Sequence, residues 1–192
     1  MIEKVRCPWC GTDPLYMEYH DKEWGTPLYD NQKLFEFLIL EGAQAGLLWI
    51  TVLRKRENYR KAFDNFDPVK IARYSDAKVE KLLQNEGIIR NRLKIESAIK
   101  NAKAYLAMQK NGEDFSEFLW RFVGGKPKQN KLKNMGEALA FTPESDAMSK
   151  ALKKRGFNFV GSTICYALMQ ATGMVNDHMT NCYRYKDCGP GK

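Results

Sequence analysis

The chain has 192 residues, 44% of them hydrophobic and 12% aromatic, which suits one domain, or one domain with a tightly attached lobe, around a buried core and excludes a disordered chain. No apolar run approaches the roughly 18 residues of a membrane span, and the N-terminal MIEKVRCPWC carries no apolar signal core. No membrane partner is therefore expected, the location is expected to be cytoplasmic, and the five cysteines read as thiols or metal ligands before disulfides. The net charge of +8 is compatible with a polyanionic partner.

Along the chain the pattern is helical almost throughout. Trp9, Tyr16, Tyr19, Trp24 and Trp49 crowd the first quarter. The segment 31–41 places Leu34, Phe35, Leu38 and Ile39 on one helical face and ends at Glu41, where the apolar run FLILEG makes a carboxylate unexpected. Such an acid among aromatics can build a pocket for a flat, cationic ring. Equally, Glu41 can sit exposed at a helix C-terminus beside a Trp-rich core.

A second helix is expected over 48–63, with a basic outer side at Arg54, Lys55, Arg56, Arg60 and Lys61. Ser75 reads as an N-cap, with Val79, Leu82 and Leu83 inward and Gly87 as the stop. A long helix is expected over 91–109, with Leu93, Ile95, Ile99, Ala102 and Leu106 inward, and a short aromatic one over 115–123. From 124 to 141 periodicity is lost, and the stretch reads as a basic loop without strands. Helices resume at 145–155 and 162–171.

The last two helices are joined by an apolar link, 157–160, between Gly156 and Gly161. This spacing describes a helix-hairpin-helix. Its second helix, opening at Gly161 and Ser162, can present backbone N–H groups to a phosphate, and Lys153, Lys154 and Arg155 add charge. An ordinary glycine-capped turn gives the same pattern.

The two histidines each lie close to a cysteine: Cys7 and His20 are thirteen residues apart, His178 and Cys182 four. Two thiolates and two imidazoles make a closed tetrahedral set, which is structural zinc chemistry without an open catalytic position. Cys7 and Cys10 also form a CxxC, Cys188 lies in the tail, and unrelated free thiols remain an alternative.

The strings DPLYMEYHDKEWG, LEGAQAGLLWITVLRKRENYRKAF, GIIRNRLKI, SKALKKRGFNFVGSTICYALMQATG and VNDH, spanning about residues 7 to 182, resemble the bacterial 3-methyladenine DNA glycosylase I family. The resemblance implies an all-α helix-hairpin-helix glycosylase fold with an added zinc lobe. It would be one unit over 1–192, with the hairpin at about 145–173 and the lobe from about 1–25 and 174–192. It implies one structural Zn2+ on Cys7, His20, His178 and Cys182. A base pocket falls on Trp9, Tyr16, Tyr19, Glu41 and Trp49, with Glu41 as the catalytic residue reading the adenine edge. Gly46 and Leu47, within Ala45-Gly46-Leu47, would enter the duplex where the base has left, and the hairpin would anchor phosphate. Asn176 stands where most of the wider superfamily has a catalytic aspartate, and Asp177 is expected to point elsewhere.

The expected activity is monofunctional hydrolysis of the 3-methyladenine N-glycosidic bond in alkylated double-stranded DNA, by a monomer associating with the nucleoid in use. Free 3-methyladenine and an abasic site are the products. The rival readings are a related glycosylase of different lesion preference, a non-catalytic helix-hairpin-helix DNA-binding module and a zinc-stabilised interaction domain.

Overall fold

The computed structural model describes residues 4–189. The chain is mostly helical: α1 Pro14–Lys22, α2 Asn31–Gln44, α3 Trp49–Leu53, α4 Arg56–Ala62, α5 Pro68–Ile71, α6 Asp76–Leu83, α7 Arg92–Lys110, α8 Phe115–Trp120, α9 Pro143–Lys154 and α10 Ser162–Ala171. The helix starts follow side-chain chemistry. Asp13, Asp30, Asp67, Ser75, Asn91, Asp114 and Thr142 each accept a backbone N–H of the first turn.

The core is built around α2, which is buried from Leu38 through Ala43 and packs against α3, α7, α8 and α10. A helix so enclosed must be apolar on nearly every side, which is why its sequence reads as a run and not a stripe. The long α7 buries Ile95, Ala98, Ala102 and Tyr105 along one face. Leu93, expected inward, is instead 65% exposed. It sits two residues before Ile95, about 200° round the helix, so the two cannot share a face.

Three further expectations are corrected. The segment 48–63 is two helices, because the chain turns at Arg54–Lys55. Gly87 does not stop α6, which ends at Leu83 with Gln84 as its cap. Instead Gly87 lies where a Cβ would come within 2.9 Å of Asn58. The basic loop contains a short strand, β1 Lys128–Gln129, paired in parallel with β2 Val175–Asn176. Two-residue strands are too short to show alternation in the sequence.

Behind α10 the chain makes a close crossing. Gly173 has φ +72°, and a Cβ there would lie 2.5 Å from the backbone of Thr26 and Pro27. The Gly25 N–H donates to the Gln170 carbonyl and the Leu28 N–H to the Thr172 carbonyl. These bonds fasten the N-terminal segment to the end of α10, next to β2. Among the described residues no helix is long and apolar enough to cross a membrane.

Candidate active site and metal-ligand cluster

α2 runs three residues past Glu41, to Gln44, so Glu41 lies inside the helix and is only 4% exposed. Its carboxyl has no hydrogen-bond partner among the described residues. Burial pushes its pKa up to about 8. It lines a cavity of about 250 Å³ whose other walls are Trp9, Tyr16, Tyr19, Trp24, Gln44, Trp49, Met135, Ala167 and Gln170.

The aromatic walls hold one another. Trp9 meets Tyr16 and Trp24 edge-on at 4.9 Å, and Tyr19 lies 5.6 Å from Trp49. Burial pushes the Tyr19 hydroxyl well above the ordinary phenol range, so it stays protonated and able to donate. The indole N–H groups of Trp9 and Trp49 are buried without a partner among the described residues. An unpaired acid and two unpaired indole donors around one apolar slot are polar groups that a ligand can satisfy.

The five pocket residues expected from the sequence all line this cavity. The reading of Glu41 as an exposed helix end is excluded. Trp24, Gln44, Met135, Ala167 and Gln170 went unassigned. Met135 comes from a 3-10 turn in the loop after α8, and Gln170 from the far end of α10, so no local pattern joins them.

Cys7, His20, His178 and Cys182 converge, fully buried, with their ligand atoms within 4.8 Å of one another. Cys182 Sγ lies 3.4 Å from His20 Nε2 and 3.6 Å from His178 Nδ1, and Cys7 Sγ lies 3.6 Å from His178 Nδ1. A four-coordinate ion with thiolate and imidazole ligands requires sulfur–nitrogen edges of roughly 3.6 Å. The remaining ring nitrogens are engaged elsewhere: His20 Nδ1 lies 2.8 Å from Asp21 Oδ1, and His178 Nε2 lies 3.0 Å from the Trp24 carbonyl. That outer bonding aims His20 Nε2 and His178 Nδ1 inward.

The Met179 N–H donates to Cys7 Sγ. Hydrogen bonds from Cys7, His178 and His20 outweigh burial and favour the Cys182 thiolate. A divalent cation between Cys7 and Cys182 would hold both as thiolates. The group can hold a metal ion. Cys10 and Cys188 are buried but stand outside it; the Cys10 thiol donates to the Cys7 carbonyl instead.

The methyladenine glycosylase family model matches residues 9–185. The chain belongs to this family. It is 56% identical over 178 residues to DNA-3-methyladenine glycosylase of Haemophilus influenzae, covering 93% of this chain and 96% of that one. It is 57% identical over 180 residues to DNA-3-methyladenine glycosylase 1 of Escherichia coli, covering 94% and 96%. A crystal structure of a 3-methyladenine DNA glycosylase I superposes with a TM-score of 0.92 at 57% identity, covering 93% and 98%. The Staphylococcus aureus 3-methyladenine DNA glycosylase I, solved for the structural basis of its 3-methyladenine recognition, superposes at 0.89 with 35% identity, covering 93% and 95%.

In this family member α9 and α10 pack as a pair, and Ser149 Oγ donates to the Val160 carbonyl across their turn. The link is not wholly apolar: it contains Asn158, whose side chain donates to the Gly156 carbonyl and whose backbone exchanges two hydrogen bonds with the Asn101 side chain. Phe159, at φ +53°, rests against Gly42, one residue from Glu41. Lys153, Lys154 and Gly156 are exposed, and Gly161 and Ser162 partly so. Arg155 is engaged elsewhere: it forms a forked ion pair with Glu113 and lies over the Phe118 ring.

After α2 the backbone turns at Gly46, φ +79°, leaving Leu47 half-buried and Leu48 74% exposed. Asn176 is buried and structural. Its amide donates to Gln129 and to the Tyr185 carbonyl, and its oxygen accepts the His178 N–H.

Proposed function

We propose that the chain is a monofunctional DNA glycosylase that hydrolyses the N-glycosidic bond of 3-methyladenine in alkylated double-stranded DNA, leaving an abasic site. The observation that carries this reading is Glu41: a buried carboxyl without a hydrogen-bond partner among the described residues, facing an aromatic cavity. The relatives named above, over nearly the whole chain, bear the corresponding name.

The leaving base explains how little acid–base machinery is needed. Methylation at N3 makes the adenine cationic in DNA, so it departs as a neutral molecule without protonation. Asn176 fits this chemistry, being committed to backbone and side-chain bonds in place of an acid. The tasks left to the protein are to extrude, hold and orient the base. Stacking on Trp9, Tyr16, Tyr19 and Trp49 offsets roughly 1–3 kcal/mol of the unstacking cost. A cation arriving beside Glu41 draws its raised pKa back down, so the acid ionises as the ring enters.

The duplex is reached by two elements. The turn at Gly46 and Leu47 enters where the base has left. The hairpin, through Gly156, Gly161 and Ser162 with Lys153 and Lys154, holds backbone phosphate. Arg155 supports the hairpin through Glu113 and does not itself serve as a phosphate ligand.

Cys7, His20, His178 and Cys182 hold one zinc ion. When bound it supplies no open coordination site, only a cross-link between the two ends of the chain. The chain is then one unit over 1–192, a helix-hairpin-helix core with its hairpin at about 145–173. The zinc lobe draws on about 1–25 and 174–192, of which residues 1–3 and 190–192 lie outside the described residues.

The test is release of labelled methylated base from alkylated duplex DNA by the purified protein, with metal analysis on the same sample. Tight DNA binding without base release would favour a non-catalytic hairpin module. Efficient excision of hypoxanthine or ethenoadenine would favour a glycosylase of other preference. Borohydride trapping of a protein–DNA adduct would exclude the monofunctional mechanism.

A further inference from the structure

Gln170 lines the same cavity as Glu41, and its amide is held in one orientation. Nε2 donates to Asp177 Oδ2 at 2.7 Å. That oxygen also accepts the Tyr166 hydroxyl at 2.7 Å, and Asp177 Oδ1 accepts Asn130 Nδ2 at 2.6 Å. Asp177 is buried, and every bond it makes here is an accepted one. A carboxylate accepts and does not donate, so the Gln170 NH2 must face it. Oε1 is thereby the group left without a partner among the described residues. Donation to a carboxylate also strengthens the amide oxygen as an acceptor.

The position of this oxygen matters. Gln170 lies eight residues after Ser162, roughly 12 Å along α10 from the end of the helix that meets the hairpin. Its own carbonyl accepts the Gly25 N–H, on the wall shared with the N-terminal segment. It therefore belongs to the inner wall of the cavity, where a base sits, and not to the phosphate-facing rim.

We propose that Gln170, oriented by Asp177, is a second hydrogen-bond acceptor for the exocyclic amine of the bound base and selects a 6-amino over a 6-oxo purine. The inference rests on the reading of the chain as a 3-methyladenine glycosylase. Glu41 alone cannot supply this selection. A buried carboxyl can meet either edge: ionised beside a cationic ring it accepts from an amine, and beside a neutral oxo base it keeps its proton and donates. Gln170 Oε1 cannot become a donor, because the bond from the amide NH2 to Asp177 prevents the amide from turning over. An oxygen at the ring's six-position would face Oε1 with no proton between them, and both would stay unpaired.

The experiment titrates wild type and Gln170→Met with free 3-methyladenine and free 3-methylhypoxanthine, following quenching of the pocket tryptophans. Wild type binds the amine base more tightly. Gln170→Met loses about tenfold in 3-methyladenine affinity and less than about twofold for the oxo base, with helicity and metal content unchanged. In wild type, the ¹⁵N-labelled Gln170 side-chain amide shifts on adding 3-methyladenine, which tests the contact without a mutation. Equal losses for both bases, an unchanged preference, or an unshifted amide overturns the proposal. A wild-type protein that binds neither base and releases none from alkylated DNA overturns the functional reading and this inference with it. Release by wild type together with an unchanged Gln170→Met preference removes Gln170 alone.

Discussion

Trp24 and His178 meet twice: the Trp24 carbonyl lies 3.0 Å from His178 Nε2, and the two rings cross edge-to-face at 4.7 Å. Trp24 also lines the cavity beside Glu41, and Trp9, its neighbour there, packs 5.4 Å from the His20 ring. The metal-ligand group and the cavity thus share a wall. If a metal ion ties this group together, its loss would loosen these aromatics, although no residue of the group lines the cavity itself.

The order of losses in Cys7→Ala and His178→Ala follows from this wall. Bound metal and thermal stability are lost first, and base release falls only as the fold loosens. Asp21→Asn is the milder case. Burial opposes ionisation of Asp21, but the bonds it accepts from Arg6 and His20 outweigh that and hold the carboxyl far below its usual range. Weakening its hold on His20 should lower metal affinity about 10–100-fold, measured by chelator competition. Full activity in a metal-free, fully folded protein would contradict the cross-link role.

Glu41→Gln separates stability from function. The folded pKa of about 8 lies above the ordinary carboxylate value, so the folded state holds a proton that the unfolded chain releases. The resulting penalty is absent below about pH 4.5, grows as pH rises, and is complete above about pH 8. Glutamine removes it. The variant should match wild type in stability at acid pH and exceed it by roughly 2–4 kcal/mol near pH 8.5, while binding free 3-methyladenine more weakly. Urea titrations at two pH values and a base titration check both halves.

Lys94 should matter for DNA and not for the free base. Its ammonium donates to the Ala43 and Ala45 carbonyls at 2.8 and 2.7 Å, closing the C-terminus of α2 just before the turn at Gly46. Lys94→Met frees both carbonyls and loosens that turn. The expected result is a raised KM for alkylated DNA with unchanged affinity for 3-methyladenine. Equal changes in both would mean the lysine supports the pocket as a whole.

The basic hairpin residues should divide by salt dependence. Lys153→Ala and Lys154→Ala each reduce the slope of log affinity against log salt, by roughly 0.9 for a direct phosphate contact. Arg155→Ala leaves that slope nearly unchanged, because its guanidinium is paired with Glu113. It should reduce stability by about 1 kcal/mol or less.

Gly173→Ala is the harshest single change expected outside the sites. The added Cβ meets Thr26 and Pro27 backbone at 2.5 Å in a left-handed conformation, and neither neighbour can rotate away. A loss of roughly 3 kcal/mol or more in chemical denaturation is expected, with the N-terminal segment displaced from α10.

The amino-acid sequence by itself determined most of the helices, because a helical face and its caps are local, but not the break within 48–63 or the end of α6. The 162–171 helix and the Ser75 cap are where spacing and side-chain chemistry put them. The pairing of each histidine with a nearby cysteine pointed to Cys7, His20, His178 and Cys182, and the family resemblance set Cys10 and Cys188 aside; the four converge. Tertiary structure alone decided whether Glu41 was an exposed helix end or a buried acid, because burial depends on α2 being enclosed by other helices. It decided that Arg155 is paired, through Glu113 forty-two residues away. It also decided that Asp177, expected only to point elsewhere, turns the Gln170 amide towards itself. Such assignments rest on contacts between distant segments, and periodicity carries no record of which segment will arrive.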